Sequence, residues 1–247
     1  MVKLIALPYS PWSERARWAL DHHHIAYREE EHIPMLGEWA LRLRTGRLSG
    51  KATVPTLLVD HGEALCDSLD IANYAEGTGT GTRLFPDAHR AAIDTWHTKS
   101  EAALGSARAL YIRRLLLSEQ AKKDTLPGFI PTPLRGAFSP MTSMGASYLA
   151  RKYAIATDLN RHETELVRIL GDVDKALGGR RHLLGDDFTF ADITMAVVLQ
   201  LVAPVANEYL VLSPALRSVS TEPSLAARFS GLVEWRDALY AAHRKTR

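Results

Sequence analysis

The residue best placed to do chemistry is Ser10. The preceding run Leu4-Ile5-Ala6-Leu7 reads as a short buried strand, and Pro11 falls at the first position of a helix. A proline there loses nothing by lacking an N–H, and its fixed φ suits the turn. Trp12, Ala16, Ala19 and Leu20 repeat at helical spacing and give that helix one apolar stripe. Ser10 therefore presents a hydroxyl beside free backbone N–H groups and the positive end of a helix dipole, a combination that favours an anion. Serine is also a preferred helix cap, so the residue alone leaves a purely structural role open.

Two further points could add to such a site. Val54-Pro55 opens the apolar run Thr56-Leu57-Leu58-Val59, and a cis bond there would turn the preceding backbone toward a ligand. Asp67-Ser68 precedes a helical pattern at Leu69, Ile71, Ala72, Tyr74 and Ala75 that ends at Gly77, so this pair lies at another helix start, again with capping as the alternative. Other chemistries are disfavoured. His22-His23-His24 closes the first helix, but successive helical side chains point about 100° apart and cannot converge on one ion. They suit a helix C-terminus instead, and no metal site is expected. Cys66 is the single cysteine, so dithiol exchange has no partner thiol, and a reducing, cytoplasmic location is expected. No GxSxG elbow occurs, and nothing marks Ser10 as an acylated nucleophile with a positioned base.

The elements that must position these residues follow in order. Strand, helix, strand (Ile25 to Glu31), short helix (Gly37 to Arg44), strand, a hairpin turn at residues 60–63, a returning strand at 64–66 and a helix make a mixed α/β unit of about 80 residues. Gly77 to Thr82 alternates Gly and Thr and reads as a flexible connector. Beyond Pro86 the pattern is helical. Trp96, Ala103, Leu104, Ala107, Leu110, Tyr111 and Leu115 share roughly one face of a helix over 88–119. Pro127, Pro131, Pro133 and Pro140 mark 120–142 as an irregular loop, and a helix over 146–177 stops at Gly178-Gly179. Thr189 and Asp192 form an Asp variant of the capping box, flanked by Phe188 and Ile193 as a hydrophobic staple. Met195 to Ala206, interrupted by Gln200 and Pro204, is too short to span a bilayer and reads as a buried helix. Pro223 to His243 forms the last helix. The net charge of +2, from 30 basic and 28 acidic residues, implies no nucleic-acid partner.

Four marks in this order resemble the cytosolic glutathione transferase family: Ser10-Pro11-Trp12-Ser13-Glu14-Arg15, Val54-Pro55, Asp67-Ser68 and the capping segment Gly185 to Ile193. The resemblance covers nearly the whole chain. It implies a thioredoxin-like α/β domain over 1–79 and an all-helical domain over 80–247. It makes Ser10 the activating serine of the serine-type classes, and it gives the backbone of Val54, before a cis Pro55, to the cysteinyl unit of glutathione. Asp67 and Ser68 fall to its γ-glutamyl end and Lys51 to its glycyl carboxylate. Asp67 departs from the glutamate common in several classes, and Ser10 from the cysteine of the thiol-reducing ones. Tyr9 could replace Ser10 as the donor, since other classes use tyrosine. The second-substrate pocket would draw on Trp12, the 88–119 helix and the 120–142 loop, with Tyr111 and Trp39 as aromatic candidates whose alternative role is core packing.

The chemistry so implied is the addition of a glutathione thiolate to a hydrophobic electrophile, with glutathione as co-substrate and no other cofactor. An ordinary thiol has a pKa of about 8.5, and lowering it by two units requires about 2.7 kcal/mol of preference for the anion. A hydrogen bond to a charged group supplies about 1.5–3 kcal/mol and a helix N-terminus about 0.3–1 kcal/mol, so one hydroxyl suffices. The alternatives are glutathione-dependent cis–trans isomerisation and a non-catalytic ligand-binding or assembly module. The resemblance further implies a homodimer in which the first domain of one subunit packs on the helical domain of the other. The helices over 68–76 and 88–119 flank the domain junction and carry apolar residues beyond one narrow stripe, which suits such a contact.

Overall fold

The computed structural model describes residues 2–33, 37–46, 53–59, 63–126, 144 and 159–246. Strands β1 (Val2–Ala6), β2 (Tyr27–Glu31), β3 (Thr56–Leu58) and β4 (Ala64–Leu65) form one sheet in the order β2-β1-β3-β4. β1 pairs parallel with β2, in the register Leu4 to Glu29, and antiparallel with β3, Leu4 to Leu57. Helices α1 (Pro11–His22), α2 (Glu38–Thr45) and α3 (Ser68–Thr78) connect and cover it. The parallel β1-β2 pair needs a crossover, which α1 supplies. Leu4, Ala6, Ala16, Leu20, Leu57, Ile71 and Ala75 make the core between sheet and helices. This is the thioredoxin-like arrangement expected from the resemblance.

The rest of the described chain is helical: α4 (Arg90–Leu117), α5 (Glu119–Asp124), α6 (Leu159–Leu177), α7 (Phe190–Ala196), α8 (Pro214–Ser220), α9 (Pro223–Arg228) and α10 (Ser230–His243). Helix α6 ends at Gly178 and Gly179, both at positive φ, as their sequence predicts. The Thr189–Asp192 box forms: Asp192 is fully buried, and its carboxylate accepts from the N–H groups of Thr189 (2.8 Å) and Leu183 (2.8 Å). Phe188 and Ile193 both join the large core that α4, α6 and α7 share with Trp18.

Several expectations are corrected. Residues 77–82 are not a loose connector. α3 continues through Gly77 to Thr78, and the Thr80 N–H donates to the His23 carbonyl at 3.1 Å. A Cβ at Gly79 would lie 2.3 Å from the His23 oxygen, and one at Gly81 2.3 Å from the His22 oxygen, so both glycines permit a close backbone approach. The 120–142 stretch begins as helix α5, capped by Ser118, and residues 127–142 lie outside the described ones, as do 146–158 of the predicted helix before α6. The buried helix predicted from Met195 onward tightens to 3-10 geometry over Val197–Leu201. Pro214, at the first position after the cap Ser213, starts α8, which the sequence reading does not anticipate. The last helix breaks at Phe229, whose φ of −114° and ψ of 36° are not helical.

Side chains tie the helical part to α1. The Trp18 indole N–H donates to the His243 carbonyl at 3.1 Å, and Arg244 binds the buried Glu14 at 2.7 Å and Asp21 at 2.5 Å. His22, His23, His182 and His243 gather beside Phe188, whose ring stacks on His243 at 3.9 Å and lies 5.7 Å from His22, itself 4.9 Å from His23. Burial, reinforced by neighbouring histidines, pulls His22, His23 and His243 below their ordinary value of 6.5. A folded state that disfavours the charged form loses stability as protons become available to the unfolded chain. Stability is thus whole above pH 6.5 and falls as the pH drops below that value. Urea midpoints measured across this range should decline, and less so for His243→Gln; a midpoint that rises on acidification contradicts this account.

Candidate active site

β1 ends at Ala6 and α1 begins at Pro11, so Ser10 occupies the predicted junction, with the extended backbone of a cap (φ −82°, ψ 126°). Its hydroxyl oxygen accepts only a long bond from the Ser13 N–H, 3.5 Å. Ser13, fully buried, does the structural work at this corner instead, accepting the Leu7 N–H at 3.1 Å. Among the described residues the Ser10 hydroxyl proton has no acceptor, and the side chain lines a cavity of about 310 Å³.

The same cavity takes in the other predicted residues. The Val54–Pro55 bond is cis, and the corner around it is fixed by Thr56 Oγ1 donating to the Thr53 carbonyl at 2.9 Å and Thr53 Oγ1 to the Cys66 carbonyl at 3.4 Å. Val54 and Pro55 both line the cavity. Asp67 caps α3, its Oδ1 accepting the Leu69 N–H at 2.7 Å, and Ser68 is buried beside it. Trp12, on α1, and Tyr111, on α4, also line the cavity. Lys51 lies outside the described residues. Trp39 is neither in the cavity nor in the core: it is 72% exposed on α2. No cluster of His, Cys, Asp and Glu able to hold a metal occurs among the described residues.

Behind the cavity lies a network that sequence reasoning missed. Arg15, one turn into α1, is fully buried. Its guanidinium donates to Ser68 Oγ (3.2 Å), Ser100 Oγ (3.0 Å) and Glu101 Oε1 (2.7 Å). Ser100 is in turn 2.7 Å from Thr194, and Glu101 also accepts the Trp12 indole N–H at 2.9 Å. Burial would raise the Glu101 carboxyl, but Arg15 and the indole N–H outweigh it and hold the group below the usual carboxylate range. One guanidinium therefore takes a lone pair of Ser68 and leaves that hydroxyl's own proton to point elsewhere. The sequence did carry a signal. Glu101 and Arg108 fall within the otherwise apolar face of Leu104, Tyr111 and Leu115, where a charge requires a reason.

Family comparisons agree with this geometry. The family model "Glutathione S-transferase, N-terminal domain" matches residues 9–78, and "Glutathione S-transferase, C-terminal domain" matches 156–238. The chain belongs to the glutathione S-transferase family. Among solved structures, it is similar to a glutathione S-transferase from Methylobacillus flagellatus KT with glutathione bound (16% identity, 97% of this chain and 95% of that one, TM-score 0.61). It is also similar to a glutathione transferase from Phanerochaete chrysosporium (18% identity, 100% and 98% covered, TM-score 0.63). A third is a family member from Pseudomonas fluorescens Pf-5 with bound glutathione (16% identity, 100% of both chains, TM-score 0.60). A search of curated proteins gave no match.

Tyr9, the other hydroxyl beside the junction, differs from Ser10 in kind. Burial and the nearby Glu31 carboxylate push its phenol up to about 12. It stays a neutral donor through the physiological range and is held back from the anionic form. In an ultraviolet titration, the difference between the parent protein and Tyr9→Phe should show no tyrosinate below about pH 11; ionisation near pH 10 would contradict the described environment.

Proposed function

We propose that this protein is a serine-type glutathione transferase. In this reading the Ser10 hydroxyl donates to the glutathione sulfur and favours the thiolate, whose proton leaves to solvent. The Val54 backbone pairs with the cysteinyl unit, Asp67 and Ser68 take the γ-glutamyl end, and Lys51 serves the glycyl carboxylate. The electrophile enters over Trp12 and Tyr111, the thiolate attacks its carbon and the leaving group departs with the bonding pair. No metal or further cofactor takes part. The observation that carries the reading is that Ser10, the cis Pro55 corner and Ser68 share one cavity with Trp12 and Tyr111. The division of labour follows a boundary after Gly79, with glutathione on 1–79 and the second-substrate wall mostly on 80–247. The proposal places the protein in the cytoplasm, in a detoxifying role.

Ser10→Ala removes a charge-assisted donor worth about 1.5–3 kcal/mol. Turnover of a generic aryl halide should therefore fall about 10- to 100-fold, with glutathione affinity largely kept and the thiolate absorbance of bound glutathione diminished. Unchanged turnover would remove Ser10 from the mechanism. Absence of glutathione binding at millimolar concentration would favour a non-catalytic module, and turnover of cis-dienoic acids without glutathione consumption an isomerase.

The proposal extends to assembly as a homodimer built on α3 and α4. Sedimentation equilibrium at micromolar concentration should give about twice the chain mass of 27.4 kDa, and a mass near 27.4 kDa would refute a stable dimer.

A further inference from the structure

The apolar run from Met195 to Ala206 carries one polar side chain, Gln200, and the proposed transferase chemistry gives it nothing to do. It sits in the 3-10 turn Val197–Leu201, only 2% exposed, where both ends of an amide need partners. The nitrogen has one. Nε2 donates to the Tyr240 hydroxyl oxygen at 2.7 Å, and Tyr240 is itself fully buried on α10. The oxygen, Oε1, has no partner among the described residues.

Gln200 borders the cavity that holds Ser10, and Tyr240 is not among the residues lining it. An amide carries its nitrogen and oxygen on diverging bonds from one carbon. A nitrogen held toward Tyr240 therefore turns the oxygen away from it, to the cavity side. The surrounding wall is built from Leu201, Leu210, Leu212 and Leu216, with the Ser220 hydroxyl one turn beyond Leu216 on α8. No charged side chain between 200 and 220 lines the cavity. A neutral acceptor in an apolar wall suits a neutral donor, a hydroxyl or N–H on an apolar body. A hydrocarbon in its place would leave the oxygen desolvated and unpaired, and a carboxylate would oppose it with further lone pairs.

We infer that Gln200 selects the second substrate, an apolar electrophile bearing a neutral hydroxyl or N–H group that donates to Oε1. The inference rests on the proposed transferase reading and deepens it. The reaction itself is unchanged: sulfur bonds to the electrophilic carbon, the leaving group departs with its electron pair, and the thiol proton goes to solvent. Gln200 makes and breaks no bond; it holds the end of the molecule that does not react.

The test uses two neutral probes with no leaving group, 4-propylphenol and 4-propylanisole, which differ in having or lacking a donor. Both are titrated calorimetrically into the full-length protein, with and without glutathione, at about pH 7, where the phenol is neutral. The phenol should bind about fivefold to tenfold tighter. Gln200→Met, apolar and of similar volume, should bring the ratio near one. Gln200→Leu repeats the measurement if circular dichroism shows the methionine variant unfolded. Equal binding of the two probes by the parent protein overturns the inference. So does tighter binding of the anisole, or a ratio that survives the loss of the amide. A folded variant that loses glutathione affinity as much as phenol affinity also overturns it, because Gln200 would then only hold the cavity together. Reactive analogues give the kinetic arm: 4-(hydroxymethyl)benzyl chloride should exceed its methyl ether in kcat/KM by a similar factor after correction for uncatalysed rates, and equal values would contradict the inference. If glutathione fails to bind, the transferase reading falls, while the phenol–anisole ratio without glutathione still decides the role of Gln200.

Discussion

A guanidinium with no exposed surface cannot be left without partners, and the arrangement around Arg15 follows from that. Its hydrogen bonds reach Ser68 at the start of α3 and Ser100 and Glu101 on α4. Removing an acceptor would leave this charge desolvated and uncompensated, which is destabilising. The start of α1, the start of α3 and the middle of α4 are thereby fixed to one another. All three contribute to the cavity lining, so the position of Ser10 relative to Ser68 is set by a charge that touches neither substrate in the proposed chemistry. The second ionic cluster, Arg244 with Glu14 and Asp21, does the same for the other side of α1 and joins it to the end of the chain.

The local division of roles at the β1–α1 corner separates structure from chemistry. Ser13 is buried and takes the Leu7 N–H, while Ser10 makes only a long cap bond and keeps its proton available. A serine whose sole duty was to cap the helix would use its oxygen more fully. Tyr9 is adjacent, but its phenol is a more firmly neutral donor than in water, because it is buried and feels the Glu31 charge. An anion is better received by Ser10, at the first turn of α1, where the helix dipole adds to the hydroxyl.

Much of this was legible in the sequence because the relevant physics is local. A proline at the first helical position, a cap at Asp67, a glycine pair after α6 and a capping box at Thr189 each depend on residues within a few positions, and each is found as read. The cis bond at Pro55 and the α/β-then-helical order also stand. What was not legible depends on distance. Arg15 meets Glu101, 86 residues away. The Gly-Thr run looked flexible because composition does not reveal that Gly79 and Gly81 lie against the backbone of His22 and His23. Trp39 was a pocket candidate on aromaticity alone, and α2 turns it to solvent. The break at Phe229 lies inside a continuous apolar pattern, where periodicity alone gives no stop signal.

The central claim is that the Ser10 hydroxyl, at the first turn of α1, faces the sulfur of a glutathione whose γ-glutamyl end lies on Asp67 and Ser68. A crystal structure of the protein with glutathione tests it most directly. The account predicts the sulfur within hydrogen-bond distance of Ser10 Oγ, the cysteinyl backbone paired with Val54 and the γ-glutamyl carboxylate against Ser68. A sulfur directed at Tyr9 instead, or a glutathione bound away from the Val54–Pro55 corner, would contradict it.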